Sequence, residues 1–305
     1  MNCPKVTVLI CTNVISLEFW DSIRSACLQD YPNLEVAVYL DGFIDPTAVM
    51  EAVNLFCSKH NRIAHIFFSL HNVGLTSGLV KLQSCAKSDF YARLDVGDSW
   101  AASKISLQVD YCIIESLSII GTRAIYLYNQ RQEGFSASLP NNSSQLIQRI
   151  KLFRGLYLHP SILFDAKYTY DPRWYYSQDM KLYVDIANSG GKFGFIDKPL
   201  TMISVSPTGI TIRKRPIQLY FERKARLLLG NPHSDYIHVK NIAEIREPPS
   251  IFPVFYSKFI NAAQSGRKCL ALAYLILSCL SDLRLLSYYI DRVKANVFYS
   301  NGETM

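Results

Sequence analysis

The segment "KVTVLIC" at residues 5–11 is short, β-rich and apolar, and three more runs of this kind come after it. They are "LEVAVYL" (34–40), "IAHIFF" (63–68) and the run that ends in "YARLD" at Asp95. A strand apolar at nearly every position is buried on both faces, as in a parallel sheet covered by helices on each side. The stretches between the strands carry helical spacing. Ser16 can cap a helix with Leu17, Trp20, Ile23, Cys27 and Leu28 on its apolar side. Asp45 then Pro46 reads as an N-cap with proline at the first helical position, ahead of Val49, Val53 and Phe56. Leu79, Leu82 and Ala86 mark a third helix. The order β-α-β-α-β-α-β implies parallel strands joined by right-handed crossovers, an α/β fold that binds ligands beyond the carboxyl ends of its strands. Thr12, Asp41 and Asp95 all fall at those ends.

In "ARLDVGDSW" (92–100), Asp95 and Asp98 stand three residues apart, with Arg93 before them and Gly97 between. The residues after Asp98 resemble a helix start, which Asp98 would cap. The alternative is that a cation and a phosphate meet at these acids. The first βα turn, "CTNVIS", lacks the glycines of a dinucleotide-binding loop, and no P-loop is present. An anion bound here therefore calls for a metal bridged to carboxylates, and hard oxygen ligands suit Mg²⁺ or Mn²⁺.

Beyond Asp95 the pattern gives strands over 116–128, 155–164 and 192–205, an amphipathic helix over 143–153, and a helix over 177–191 closed by glycine. A change of character near residue 213 divides the chain into a catalytic domain, 1–213, and a basic, apolar helical region, 214–305. That region opens with a basic amphipathic helix from Arg213. It continues through the apolar stretch 267–294, with Leu272, Ile276, Cys279, Leu283, Leu286 and Ile290 as one stripe and basic residues at both ends. The uncharged core from Cys269 to Ser281 is shorter than the roughly 20 residues of a membrane span. It reads as a helix lying in a membrane interface, with packing on the catalytic domain as the alternative.

The formal charge of +7 suits a nucleotide, a phosphate-bearing substrate or an anionic membrane face. Eight cysteines without C-x-x-C or zinc spacing imply a reducing compartment. The expected place is the cytoplasm, on the inner face of the cell membrane, with no nucleic-acid partner.

These residues resemble the family 2 inverting glycosyltransferases of GT-A fold. "VTVLICTN", "SIRSACLQDYPNLEVAVYLDG", "HNVGLTSGL", "YARLDVGDSW", "KISLQVDY", "HPSILF" and "SQDMKLYVDIANSG" keep the order of that family's blocks from about residue 5 to about 212. The resemblance implies a nucleotide-sugar donor, a glycan or lipid-linked acceptor, and a role in bacterial surface polysaccharide assembly. It places Thr12, Asp41, Arg93 and Asp95 against the nucleotide, Asp98 with Asp95 on a divalent metal, and Asp179 as general base. His159 and Trp100 fall on the acceptor side. The chain departs from the family at Leu40, at Gly97, where a carboxylate is usual, and at Val14 and Val80. Two other classes stay open: another sugar-nucleotide enzyme, such as a nucleotidyltransferase, and a non-catalytic binding subunit.

Overall fold

The computed structural model describes residues 3–128, 130–205, 214–231 and 248–300. The chain forms two compact units, Met1–Gln148 with Leu156–Val205, and Arg149–Gly155 with Ser206–Met305. The boundary expected at residue 213 and the helix start at Arg213 lie outside the described residues.

The first unit begins β1 (Val6–Thr12), α1 (Leu17–Cys27), β2 (Leu34–Asp41), α2 (Thr47–Lys59), β3 (Ile63–Ser69), α3 (Leu75–Cys85) and β4 (Phe90–Arg93). Strands β3-β2-β1-β4 are parallel, as the alternation requires. Val6, Val8, Ile10, Val36 and Val38 pack with Phe19 and Ile23 of α1 and Val53 and Cys57 of α2. Helix α3 comes close enough to the sheet that a Cβ on Gly78 would stand 2.8 Å from the Tyr39 ring. Ser16 accepts the Phe19 N–H and caps α1, as expected. Helix α2 starts one residue late, because Pro46 (φ −88°, ψ −1°) is the flanking residue, while Asp45 still accepts the Thr47 N–H.

Past β4 the chain departs from expectation. The strand stops at Arg93 rather than Asp95, and no helix begins directly after it. Gly97, at φ +96°, turns the chain into a two-residue strand, β5 (Ser99–Trp100), and α4 (Lys104–Glu115) begins only after Ser103. Asp98 is therefore not a helix cap; its carboxylate accepts the Ser204 N–H at 2.9 Å.

Strands β6 (Ile119–Tyr128) and β7 (Arg131–Phe135), most of α5 (Ser143–Lys151), β8 (Leu163–Asp165), α6 (Gln178–Asn188) and β9 (Phe193–Ser204) complete the unit. The sheet runs β3-β2-β1-β4-β8-β6-β9-β5, with β7 beside β6. Strand β8 is antiparallel to both β4 and β6. Of the strand expected over 155–164 only its end forms, as Leu163 and Phe164 of β8. His159–Ser161 make a 3-10 turn, and Pro160 has no N–H to give a ladder. Because β8 runs against β4, that turn lies next to the carboxyl end of β4, where the Arg93 N–H meets the Ile162 carbonyl. His159 thus reaches the rim that carries Asp95.

The described helices of the second unit are α7 (Arg215–Leu227), α8 (Phe252–Gln264), α9 (Lys268–Ser281) and α10 (Leu283–Ser300). They close around Phe153, Leu219, Phe252, Tyr256, Cys279, Leu285 and Tyr288. Buried Arg226 ties α7 to the 149–155 segment, donating to Ile150 O (2.7 Å) and Arg154 O (3.0 Å) while paired with Glu222. The single stripe expected over 267–294 is broken at Asp282, where the helix axis turns by 120°. Asp282 is extended (φ −148°, ψ 107°), and its carboxylate accepts the Arg284 N–H at 3.1 Å, capping α10. Cys279, placed on that stripe, is buried. Among the described residues no single helix is long and apolar enough to cross a membrane.

Candidate active site

Three strand ends supply one side of the rim. Thr12 closes β1, its hydroxyl accepting the Val14 N–H at 3.2 Å in a local turn. Asp41 closes β2 and is buried. Its Oδ1 accepts from Ser69 Oγ (3.0 Å) and the Val73 N–H (2.7 Å), and its Oδ2 from the Gly74 N–H (2.9 Å). Asp41 thereby pins the loop that opens α3, where Gly74 sits at φ +87°.

The turn after β4 is held from two sides. Buried Ser22 of α1 accepts the Gly97 N–H (3.0 Å) and donates to Asp98 O (2.8 Å). Ser204, at the end of β9, donates its N–H to Asp98 and its hydroxyl to Gly97 O (2.6 Å). Arg93 is 1% exposed, so it lies beneath the rim rather than on it. It donates to Leu9 O at 2.8 Å and forms an ion pair with Asp95, whose side chain keeps 35% of its surface open. The arginine therefore orients Asp95. Burial, and then the neighbouring charge of Asp95, push the Asp98 carboxyl up to about 8 against the pull of the Ser204 N–H and Arg93.

Across the rim, His159 Nε2 lies 2.8 Å from the Tyr170 hydroxyl. Loss of solvent pulls the imidazole down to about 3, with Asp95 opposing and Arg93 assisting. His159 is thus neutral at pH 7. Buried Tyr170 lies within the fields of Arg93, Asp179 and Asp95, and burial raises its phenol well above the ordinary value. Asp179 is half-buried in the first turn of α6, entered through Ser177 at φ +50°. The Tyr170 segment is itself anchored to α3: Gln83 Oε1 accepts the Tyr170 N–H (2.9 Å), and Thr76 donates to Trp174 O (2.7 Å).

Asp95, Asp98, His159 and Asp179 are therefore gathered in one region of the rim with Arg93 beneath them, and Thr12 and Asp41 end the adjoining strands. Cys11, whose thiol burial pushes up to about 12, feels Arg93, Asp95 and Asp41 together. Trp100, expected on the acceptor side, packs against the turn that bears His159. It is buried, donates Nε1 to Pro160 O at 2.8 Å, and has the Lys104 ammonium 4.1 Å from its ring centre. Trp100 supports the turn that bears His159. Ser22, Ser204, Tyr170 and Tyr183 were not legible as site residues. Two of the three buried side-chain polar atoms without a partner among the described residues, Arg93 Nε and Tyr183 Oη, belong to this cluster. Unpaired buried donors are costly, and they are common where a chain is built to meet something else.

No group of three or more potential metal ligands occurs among the described residues. Asp95 and Asp98 nevertheless fit a hard cation that keeps most of its ligands from phosphates and water. Asp95 is open, and the Asp98 carboxylate accepts only the Ser204 N–H among the described residues.

This fold is shared with glycosyltransferases of GT-A-like architecture. S. aureus TarS (residues 1–349) with UDP-GlcNAc superposes with a TM-score of 0.53 at 12% identity, over 98% of this chain and 92% of that one. A mannosyltransferase, PcManGT from Pyrobaculum calidifontis, in complex with GDP-Man and Mn²⁺, gives 0.54 at 14% identity, over 95% and 87%. An uncharacterized glycosyltransferase of Haemophilus influenzae is 32% identical over 111 residues, 36% of this chain. That match takes in 33% of the relative's length. No family model matches the chain.

Proposed function

We propose that the protein is an inverting glycosyltransferase of the family 2 type, moving a sugar from a nucleoside diphosphate sugar to a hydroxyl of a lipid-linked glycan in surface polysaccharide assembly. The observation that carries this reading is the pairing of the Asp95–Asp98 turn with the His159–Tyr170–Asp179 group on one rim. The glycosyltransferase neighbours, with UDP-GlcNAc and with GDP-Man and Mn²⁺, support it.

Transfer breaks the bond between the anomeric carbon and the diphosphate oxygen, and charge builds on the leaving group. A Mg²⁺ or Mn²⁺ held by Asp95 and Asp98 would supply the neutralising charge. Arg93 acts through Asp95, keeping that carboxylate turned to the rim. Asp179 accepts the proton of the acceptor hydroxyl as its oxygen attacks from the opposite face of the sugar. His159, being neutral, accepts or donates a hydrogen bond without adding charge beside the developing cation.

The test is the anomeric configuration of the transferred sugar, read by NMR from a donor of known configuration. Inversion supports the assignment and retention refutes it. Donor binding without transfer or hydrolysis identifies the second reading, a non-catalytic binding subunit. Gly97 in the place of a carboxylate and the full engagement of Asp41 by its own loop favour that alternative.

A further inference from the structure

Helix α9 is apolar on both faces. It buries Ala271, Ser278 and Cys279 and packs Leu275 on the core, while Leu270, Leu272, Ile276, Leu277 and Leu280 face outward. A helix on a soluble unit turns its apolar stripe inward and its serines outward. The exposed surface continues past the 120° elbow onto α10 through Leu283, Leu286, Ile290 and Val293. The most exposed of these residues flank the elbow itself, Leu280 at 68% and Leu283 at 65%. The one acid between them, Asp282, is buried and paired with Arg284 at 2.6 Å. The apex of the elbow therefore offers leucine to its surroundings and keeps its charges neutralised.

Exposed cations stand at the far ends of the two arms. Arg267 and Lys268 open α9, and Arg292 and Lys294 lie well along α10. No acid stands on α9, and the one on α10, Asp291, is paired with Arg223 at 2.5 Å. An apolar apex between two cationic ends complements a bilayer leaflet, with hydrocarbon at the centre and anionic headgroups around it. A patch of this kind on a soluble face marks an interaction site. A protein partner or a second copy would also accept the leucines, but the exposed cations at both ends select an anionic lipid surface.

We infer that the α9–α10 elbow is a one-leaflet membrane wedge, with Leu277, Leu280, Leu283 and Leu286 entering the acyl boundary. Arg267, Lys268, Arg292 and Lys294 hold the phosphates on either side. The inference rests on the second unit alone and stands whether or not the first unit transfers sugar.

The test is flotation of the full chain with vesicles of phosphatidylcholine containing about 30% phosphatidylglycerol, compared with phosphatidylcholine alone. The chain should float with the anionic vesicles at low salt. Leu280→Gln/Leu283→Gln should abolish flotation. Neutralising the four cations to glutamine should lower partitioning by roughly 100-fold, at about threefold per charge, within the limit of about 1 kcal/mol for each cation near the surface. Because all six positions are exposed, each variant should keep the far-UV spectrum and melting temperature of the wild type. The inference is overturned if the wild type stays in solution at low salt, or if the leucine variant floats equally well. It is also overturned if sedimentation velocity shows that the leucines drive dimerisation of the chain while the anionic vesicles capture none of it.

Discussion

Asp41 holds Gly74: the carboxylate that ends β2 accepts the N–H of the residue that opens α3, at 2.9 Å, and the neighbouring Val73 N–H at 2.7 Å. Helix α3 in turn holds the Tyr170 and Trp174 segment through Gln83 and Thr76. The end of β2 is thereby connected through α3 to the Tyr170–Trp174 segment by fixed hydrogen bonds.

Asp41→Ala should therefore lose stability as well as donor affinity. Leaving the N–H groups of Val73 and Gly74 without this partner should cost about 1 kcal/mol, the low end for a lost hydrogen bond because Val73 is exposed and water can reach the loop. Denaturant unfolding checks the first effect and calorimetry with the donor the second. Loss of affinity at unchanged stability would assign Asp41 to direct ligand contact alone.

Asp179→Asn should lower transfer by about 10² to 10⁴ while donor binding stays within a few-fold of wild type. Single-turnover kinetics and donor calorimetry separate the two. Transfer at wild-type speed would remove Asp179 from the mechanism.

Asp95 and Asp98 should behave differently on neutralisation. Burial holds the Asp98 carboxyl near 8, so asparagine mimics its favoured state, and Asp98→Asn should fold at least as well as wild type at neutral pH. Asp95→Asn removes the partner of buried Arg93 and should cost roughly 1–2 kcal/mol, allowing for the water that reaches Asp95. Both variants should lose the effect of Mn²⁺ on donor binding. Melting curves and calorimetry with and without chelator check these outcomes, and a metal response preserved in both would place the cation elsewhere.

His159 should shape the acid limb of stability. Its folded value, about 3, is depressed from 6.5, so below pH 6.5 the unfolded chain takes up a proton that the folded one refuses. Its contribution is present above pH 6.5 and is lost as pH falls toward 3. His159→Gln should flatten the fall of melting temperature between pH 6.5 and 4. An unchanged slope would mean the imidazole already titrates normally in the folded state.

Strands β1 and β2 were legible because strands buried on both faces need apolar residues throughout, and α1 because Ser16 acts within its own turn; β3, equally apolar, is the edge strand and leaves Ile63 and Phe68 exposed. Thr12, Asp41 and Asp95 were legible because a parallel strand delivers its last residues to one rim. The setting of Asp98 was not, since it depends on Ser204, a residue 106 positions away whose N–H completes the turn. Most of the strand expected over 155–164 failed on Pro160, and the long apolar helix on Asp282, which caps the helix after it. The buried places of Arg93 and Trp100 come from packing between strands and from the Pro160 carbonyl, contacts that no local pattern announces.

The rim around Asp95 and Asp98 is proposed to bind a nucleoside diphosphate sugar. Thermal unfolding with UDP-, GDP- and dTDP-sugars, each with and without Mn²⁺, tests it most directly. A donor at about 100 times its Kd should stabilise the protein by about 2.7 kcal/mol. At least one donor should give a stabilising shift, strengthened by Mn²⁺ and lost in Asp95→Ala. Absence of a shift with every donor, in protein whose unfolding remains cooperative, would contradict it.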